Sequence, residues 1–157
     1  MVLDGDRVRD SVRAARDRGV LIDIGHGMSG FSSTVARRMI ELGEPPDTIS
    51  SDLHSYSESL VIDLPTVMSK MLALGMSLEQ VLLRSTLAPA AAVGLDTLGV
   101  GTLRIGAPAD VAVLRLEDGP VEYGDGFGGQ FAGAASLVPS LTVMGGRVIP
   151  VEPKGTA

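Results

Sequence analysis

The chain has no cysteine and no tryptophan, and only two histidines among its 157 residues. Without cysteine there can be neither a disulfide nor a thiolate metal site, which suits a reducing, cytoplasmic setting. The shortage of histidine limits metal chemistry, because a catalytic zinc usually draws about three protein ligands from histidine and carboxylate side chains. Positive charge is scarce as well: 13 Lys and Arg stand against 19 Asp and Glu, for a net charge of −6. Apart from the arginines between positions 7 and 18 there is no basic cluster, so nucleic acid is not an expected partner. No apolar run approaches the roughly 18 residues of a membrane span, and Asp4, Asp6, Arg7 and Arg9 stand where a signal peptide has its apolar core. The composition therefore predicts a soluble protein with no membrane association.

What the sequence does contain is a pair of apolar runs that stop abruptly in polar residues. Gly19-Val20-Leu21-Ile22-Asp23-Ile24 ends at Gly25-His26-Gly27, and Thr48-Ile49-Ser50-Ser51 ends at Asp52-Leu53-His54. Both read as short strands with titratable groups at their carboxyl ends, where parallel α/β sheets and barrels keep their chemistry. Between them, Ser32 or Ser33 can cap a helix whose inner face is Val35, Ala36, Met39 and Ile40, closed by Gly43. The expected unit is β-α-β with parallel strands. Asp23, among apolar neighbours, would be costly if buried unpaired, so it is expected to face a barrel interior or find a hydrogen-bond partner. The glycines around His26 precede a helix but lack the Lys-Ser/Thr ending of a phosphate loop, so nucleotide binding is not expected.

Upstream, Met1 to Gly5 shows no core-forming pattern, and Val8, Val12 and Ala15 mark a helix ended by Gly19. Downstream, Pro65 suits the first turn of a helix carrying Val67, Met68, Met71 and Leu72, on which Lys70 is expected to be solvated. Ser77 and Gln80 form a capping box for the next helix, and Pro89 interrupts before one last turn from Ala90 to Val93. From Gly99 the composition shifts to glycine and β-formers. Strands are expected at Thr102–Ile105 and Asp110–Leu116, then a mobile glycine-rich loop from Gly124 to Ala135, then a hairpin turning at Gly145-Gly146, and a frayed end. This divides the chain into residues 1–98, part of an α/β unit, and residues 99–157, a β segment.

The segments RGVLIDIGHG, PPDTISSDLH, DLPTVMSKMLALGMSLEQVLLRST, GVGTLRIGAPADVAVL and LTVMGGRVIP, in this order, resemble the C-terminal part of the metal-dependent amidohydrolase superfamily. Within it, the chain is most similar to the amidohydrolase/deacetylase branch, related to dihydroorotases. The resemblance implies the last strands of a TIM-type (β/α)8 barrel followed by a small β-sandwich segment. It implies a hydrolase of amide or cyclic amide C–N bonds that uses a divalent metal, zinc above all. Asp52 matches the carboxylate that ends barrel strand eight, where it ligates metal and takes the proton of the hydrolytic water. His26 and His54 are candidates to line the substrate pocket.

The pattern is incomplete in one respect. The family's His-x-His pair, bridging residue and further histidines have no counterpart in this chain. At 157 residues it is also shorter than the roughly 200 to 250 residues of a complete barrel. Asp52, His26 and His54 are the residues that could hold a single metal. The expectation is a C-terminal fragment inactive alone, with a split-enzyme subunit or a non-catalytic remnant as alternatives. Unpaired strand edges should expose apolar surface and favour an oligomer or a partner chain.

Overall fold

The computed structural model describes residues 2–27, 29–61 and 63–150. The first element is a small antiparallel pair, β1 (Leu3–Asp4) and β2 (Arg7–Val8), where the sequence showed no pattern. Val8 belongs to this pair and is buried, so helix α1 (Asp10–Asp17) starts after it. The central unit is as expected: β3 (Asp23–Ile24), α2 (Ser33–Glu41) and β4 (Thr48–Ile49), with the strands parallel. Ser32 accepts from the Val35 amide to cap α2. The regular part of β3 is shorter than the apolar run, and Val20 and Leu21 are about half exposed, because only residues from Ile22 onward have β4 beside them.

The entry end of the parallel pair is fixed by charge. Arg16 on α1 reaches Glu44 and Asp47, and Asp47 in turn accepts from the Ile22 amide at 2.8 Å. Asp23 finds two partners, Thr48 Oγ1 at 2.6 Å and Ser50 Oγ at 2.5 Å, so the register of β3 on β4 is written in side chains as well as backbone.

Three helices follow: α3 (Leu64–Ala73), α4 (Leu78–Ser85) and α5 (Leu87–Ala92). Asp63 caps α3 and Pro65 sits in its first turn. The Ser77/Gln80 capping box of α4 is formed in both directions. Pro89 lies inside the first turn of α5, where its missing N–H costs nothing, so it starts that helix where the sequence suggested an interruption. Thr102–Ile105 forms no strand. Gly99, Gly101 and Gly106 all take positive φ and turn the chain, leaving Leu103 and Ile105 exposed.

The largest departure from expectation is the stretch Gly124 to Ala135. Most of it belongs to a long hairpin of β5 (Val111–Gly124) and β6 (Gln130–Met144), and only its tip is loop. Small residues hid the strand: Gly133 lies so close to Tyr123 and to Ala73 of α3 that a Cβ there would come within 2.9 Å and 3.1 Å of them. Pro139 and the Gly119-Pro120 pair sit at the two register shifts, the places where a ladder tolerates a missing N–H. β7 (Arg147–Ile149) completes the sheet through a two-residue turn at Gly145-Gly146, both with positive φ, as the sequence predicted. The expected fraying of the last residues lies outside the described ones.

One core joins the β-α-β unit, α3 and α4 to the β5–β6 hairpin. Phe31, Ile49, Val61, Val67, Met71 and Val81 cluster with Leu137 of β6. Among the described residues, no strand covers the second edge of β3 or of β4.

Candidate active-site corner and the buried node beside it

At the carboxyl end of β3 and β4 the parallel ladder continues for two more bonds, Ser50 N to Ile24 O at 3.0 Å and His26 N to Ser51 O at 3.2 Å. Asp52 follows at once, with φ of 47°, the one non-glycine residue in the left-handed region among those described. Aspartate tolerates this conformation better than most residues, yet it still costs about 1 kcal/mol. What the backbone gains is direction. The Asp52 side chain lies over Gly25 and Gly27: a Cβ on Gly25 would meet Asp52 Cβ at 2.9 Å, and one on Gly27 would overlap Asp52 Oδ2. The same imagined atom on Gly27 would be 3.6 Å from His54 Nε2. Asp52 and His54 therefore share a floor that has no side chains of its own, and both are exposed.

His54 is oriented by its neighbours. Its amide donates to Ser57 Oγ at 3.0 Å, and its Nδ1 accepts from the Tyr56 amide at 3.3 Å. An accepting Nδ1 puts the hydrogen of the neutral ring on Nε2, which faces the floor as a donor and not as a metal ligand. Ser57 is fully buried and also donates toward the carbonyls of Asp52 and His54, closing the segment into a tight turn.

The sequence paired His26 with these residues, but the structure places its ring elsewhere. His26 is fully buried, stacked on Phe31 at 4.4 Å, and its Nε2 lies 2.8 Å from Nζ of Lys70. Desolvation, and then the charge of Lys70, push its pKa below the ordinary 6.5, so the ring is neutral and accepts from the ammonium. Its Nδ1 is buried and makes no hydrogen bond among the described residues.

Lys70 is the residue that sequence reasoning misplaced. It is 1% exposed, not solvated, because every side chain of α3 from Val67 to Met71 is buried between the β-α-β unit and β6. Besides His26, its ammonium donates to the carbonyls of Leu60 at 2.7 Å and Gly124 at 2.8 Å, which uses all three of its hydrogens. No carboxylate pairs with it among the described residues. Burial lowers its pKa to about 8, against the longer-range pull of Asp125.

Asp125, at the tip of the β5–β6 hairpin, completes the node. Its burial would raise the carboxyl pKa, but bonds from Ser33 N, Ser33 Oγ, Phe127 N and Gly129 N outweigh that and bring it to about 2. The carboxylate thus closes the hairpin turn and caps the start of α2 together. A sequence signal existed: Asp125-Gly126 between two alternating stretches is a turn pair.

No group of three His, Cys, Asp or Glu side chains able to hold a metal occurs among the described residues. The donor chemistry agrees. Asp52 offers one carboxylate, His54 Nε2 is a donor, and His26 Nε2 is committed to Lys70. On its own this set does not fit a catalytic zinc.

No family model matches the chain. A deacetylase of Brucella anthropi is 36% identical over 132 residues, which is 83% of this chain and 32% of that protein. A deacetylase of Agrobacterium fabrum matches to the same extent. One from Enterococcus faecalis is 29% identical over 145 residues, 91% of this chain and 39% of its own length. Among solved structures, an adenine deaminase superposes with a TM-score of 0.89 at 30% identity, over 94% of this chain and 41% of its own. A dihydroorotase does so with a TM-score of 0.79 at 34% identity, over 90% and 38%. The chain thus spans between 32% and 41% of the length of these relatives, all of them hydrolytic enzymes by name. In sequence and in fold it is a relative of the amidohydrolase superfamily.

Proposed function

We propose that the chain supplies the proton-handling corner of an amide or cyclic amide hydrolase. The observation that carries this is Asp52, held in a strained backbone at the end of a parallel strand with its carboxylate over a bare glycine floor. In this reading Asp52 takes a proton from water as the water oxygen bonds to the substrate carbonyl carbon. It then returns that proton to the leaving nitrogen as the C–N bond breaks, so amide and water give carboxylic acid and amine. The Nε2–H of His54 lies on the same floor, placed to donate to a substrate oxygen. Superfamily enzymes use a divalent metal, but the described residues of this chain do not complete a site for one.

The missing donors define the rest of the proposal. We read residues 1–98 as the last strands and helices of a barrel and residues 99–157 as the C-terminal share of a β-sandwich, of which the described residues form one three-stranded sheet. The chain then works with further barrel strands, on the same polypeptide or on a partner. A groove of about 490 Å³ between the β3 segment and α2, lined by Ile22, Ile24, Phe31, Val35 and Met39, has the apolar character such a layer would cover. Among the described residues no helix is long and apolar enough to cross a membrane, and the lack of cysteine favours the cytoplasm.

The test is elemental analysis of the purified chain, its mass in solution, and a screen of N-acyl amino acids and cyclic amides, each with Asp52→Asn. The expected result is less than one zinc or manganese per chain and no turnover until the complementary strands are supplied. Turnover should then fall about 10²- to 10⁴-fold in Asp52→Asn. Turnover by the complete assembly that is indifferent to Asp52→Asn would end this reading.

A further inference from the structure

We propose that Lys70 is a positioning residue that holds Asp52 in its left-handed conformation by tying the segments on both sides of it, through the His26 ring on one side and the Leu60 carbonyl on the other. On one side, Lys70 Nζ bonds His26, whose amide is tied to Ser51 O, the residue before Asp52. On the other, Nζ bonds the carbonyl of Leu60. The Leu60 amide donates to Ser57 O, and Ser57 Oγ returns to the carbonyl of Asp52. The third bond, to Gly124 O, fixes the ammonium to the hairpin beside Asp125. The irregular segments 25–27 and 52–61 are thus joined through one buried atom.

The chemistry of the side chain fits this task. A buried ammonium without an adjacent carboxylate is costly, and an apolar residue of similar length would serve the α3 core better. Three directed N–H bonds to three separate segments are what the charge provides in return. Met71 and Met68, one and two positions away, show that this part of α3 accepts unbranched apolar side chains.

The first test is amide hydrogen exchange on the purified chain, with the amides of α4 as the internal reference for global opening. Lys70→Met should speed exchange across residues 25–27 and 52–61 by about tenfold more than in α4, as a local opening would. If Lys70→Met does not fold, His26→Leu, which removes one acceptor, should raise the same amides selectively, and His26→Gln, which keeps an acceptor, should restore them. Equal acceleration everywhere, or none at the corner, would overturn the proposal.

The second test rests on the reading of Asp52 as the proton-handling carboxylate. In the turnover-competent assembly, Lys70→Met should lower kcat about tenfold or more with KM nearly unchanged, since a misplaced catalytic group loses rate before binding. A parallel loss of active protein at unchanged kcat would mark a merely structural lysine. If no amide substrate is ever turned over, the catalytic reading fails, and the exchange experiment still decides the role of Lys70.

Discussion

Two neighbouring sets of polar residues sit at the same end of this fold and are built on opposite principles. The corner of Asp52 and His54 is open: its side chains are exposed, bonded mainly through their own backbone, and face a floor of glycine. The node of His26, Lys70 and Asp125 is sealed: each group is at most 5% exposed, and among the described residues its polar atoms have partners, with His26 Nδ1 the exception. Sealed polar groups hold geometry, since leaving any one unpaired is expensive. Open ones remain available to a ligand. The open set needs the sealed one because the backbone of Asp52 is strained and has no helix or regular strand to confine it.

The sharpest way to break this comparison is to truncate one carboxylate from each set. Asp125→Ala strands the Ser33, Phe127 and Gly129 amides, and should cost about 3 kcal/mol in urea denaturation. Asp52→Ala removes no buried partner and should cost about 1 kcal/mol or less. Comparable losses would mean that the two sets are not distinct.

A pH series of thermal unfolding makes the same distinction. The stability from Asp125 is fully present above its ordinary pKa of 3.8 and is lost as pH falls toward about 2. His26 is held neutral, so it too withdraws stability as pH falls below 6.5. Lys70 acts at the other end. Its charge is disfavoured by burial, so stability rises as pH climbs from about 8 toward 10.5, a rise that Lys70→Met should abolish. The smallest effect belongs to the open set: Asp52→Gly should melt above Asp52→Ala by the equivalent of about 1 kcal/mol, because glycine takes a positive φ without strain.

The open set was legible in the sequence and the sealed set was not, for a physical reason. Asp52 and His54 follow a short apolar strand directly, and their placement depends on local chain direction. The β-α-β unit, the capping box at Ser77 and the Gly145-Gly146 turn are legible for the same reason, each set by residues within a few positions. Lys70 looked like a surface residue because lysine usually is one. The run Val67-Met68-Ser69-Lys70-Met71-Leu72 is apolar nearly all round, which marks a buried helix and makes a lysine inside it exceptional. His26 was read by its strand position, but the partner that turns its ring inward is 44 residues away. The strand in Gly124–Ala135 was masked by glycine and alanine, which are small because α3 lies against them.

Asp125 reaches Ser33 across 92 residues of sequence, and Lys70 reaches Gly124 across 54. Contacts so distant carry a large loop-closure entropy and form late, after local helices and turns. As the polypeptide leaves the ribosome, the β-α-β unit and α3 emerge well before the hairpin tip that anchors them. During that interval Lys70 lacks the carbonyl of Gly124 and the start of α2 lacks the carboxylate of Asp125. The corner is therefore braced last by its C-terminal hairpin, and a chain stalled before residue 124 would carry the motif without the bonds from Gly124 and Asp125.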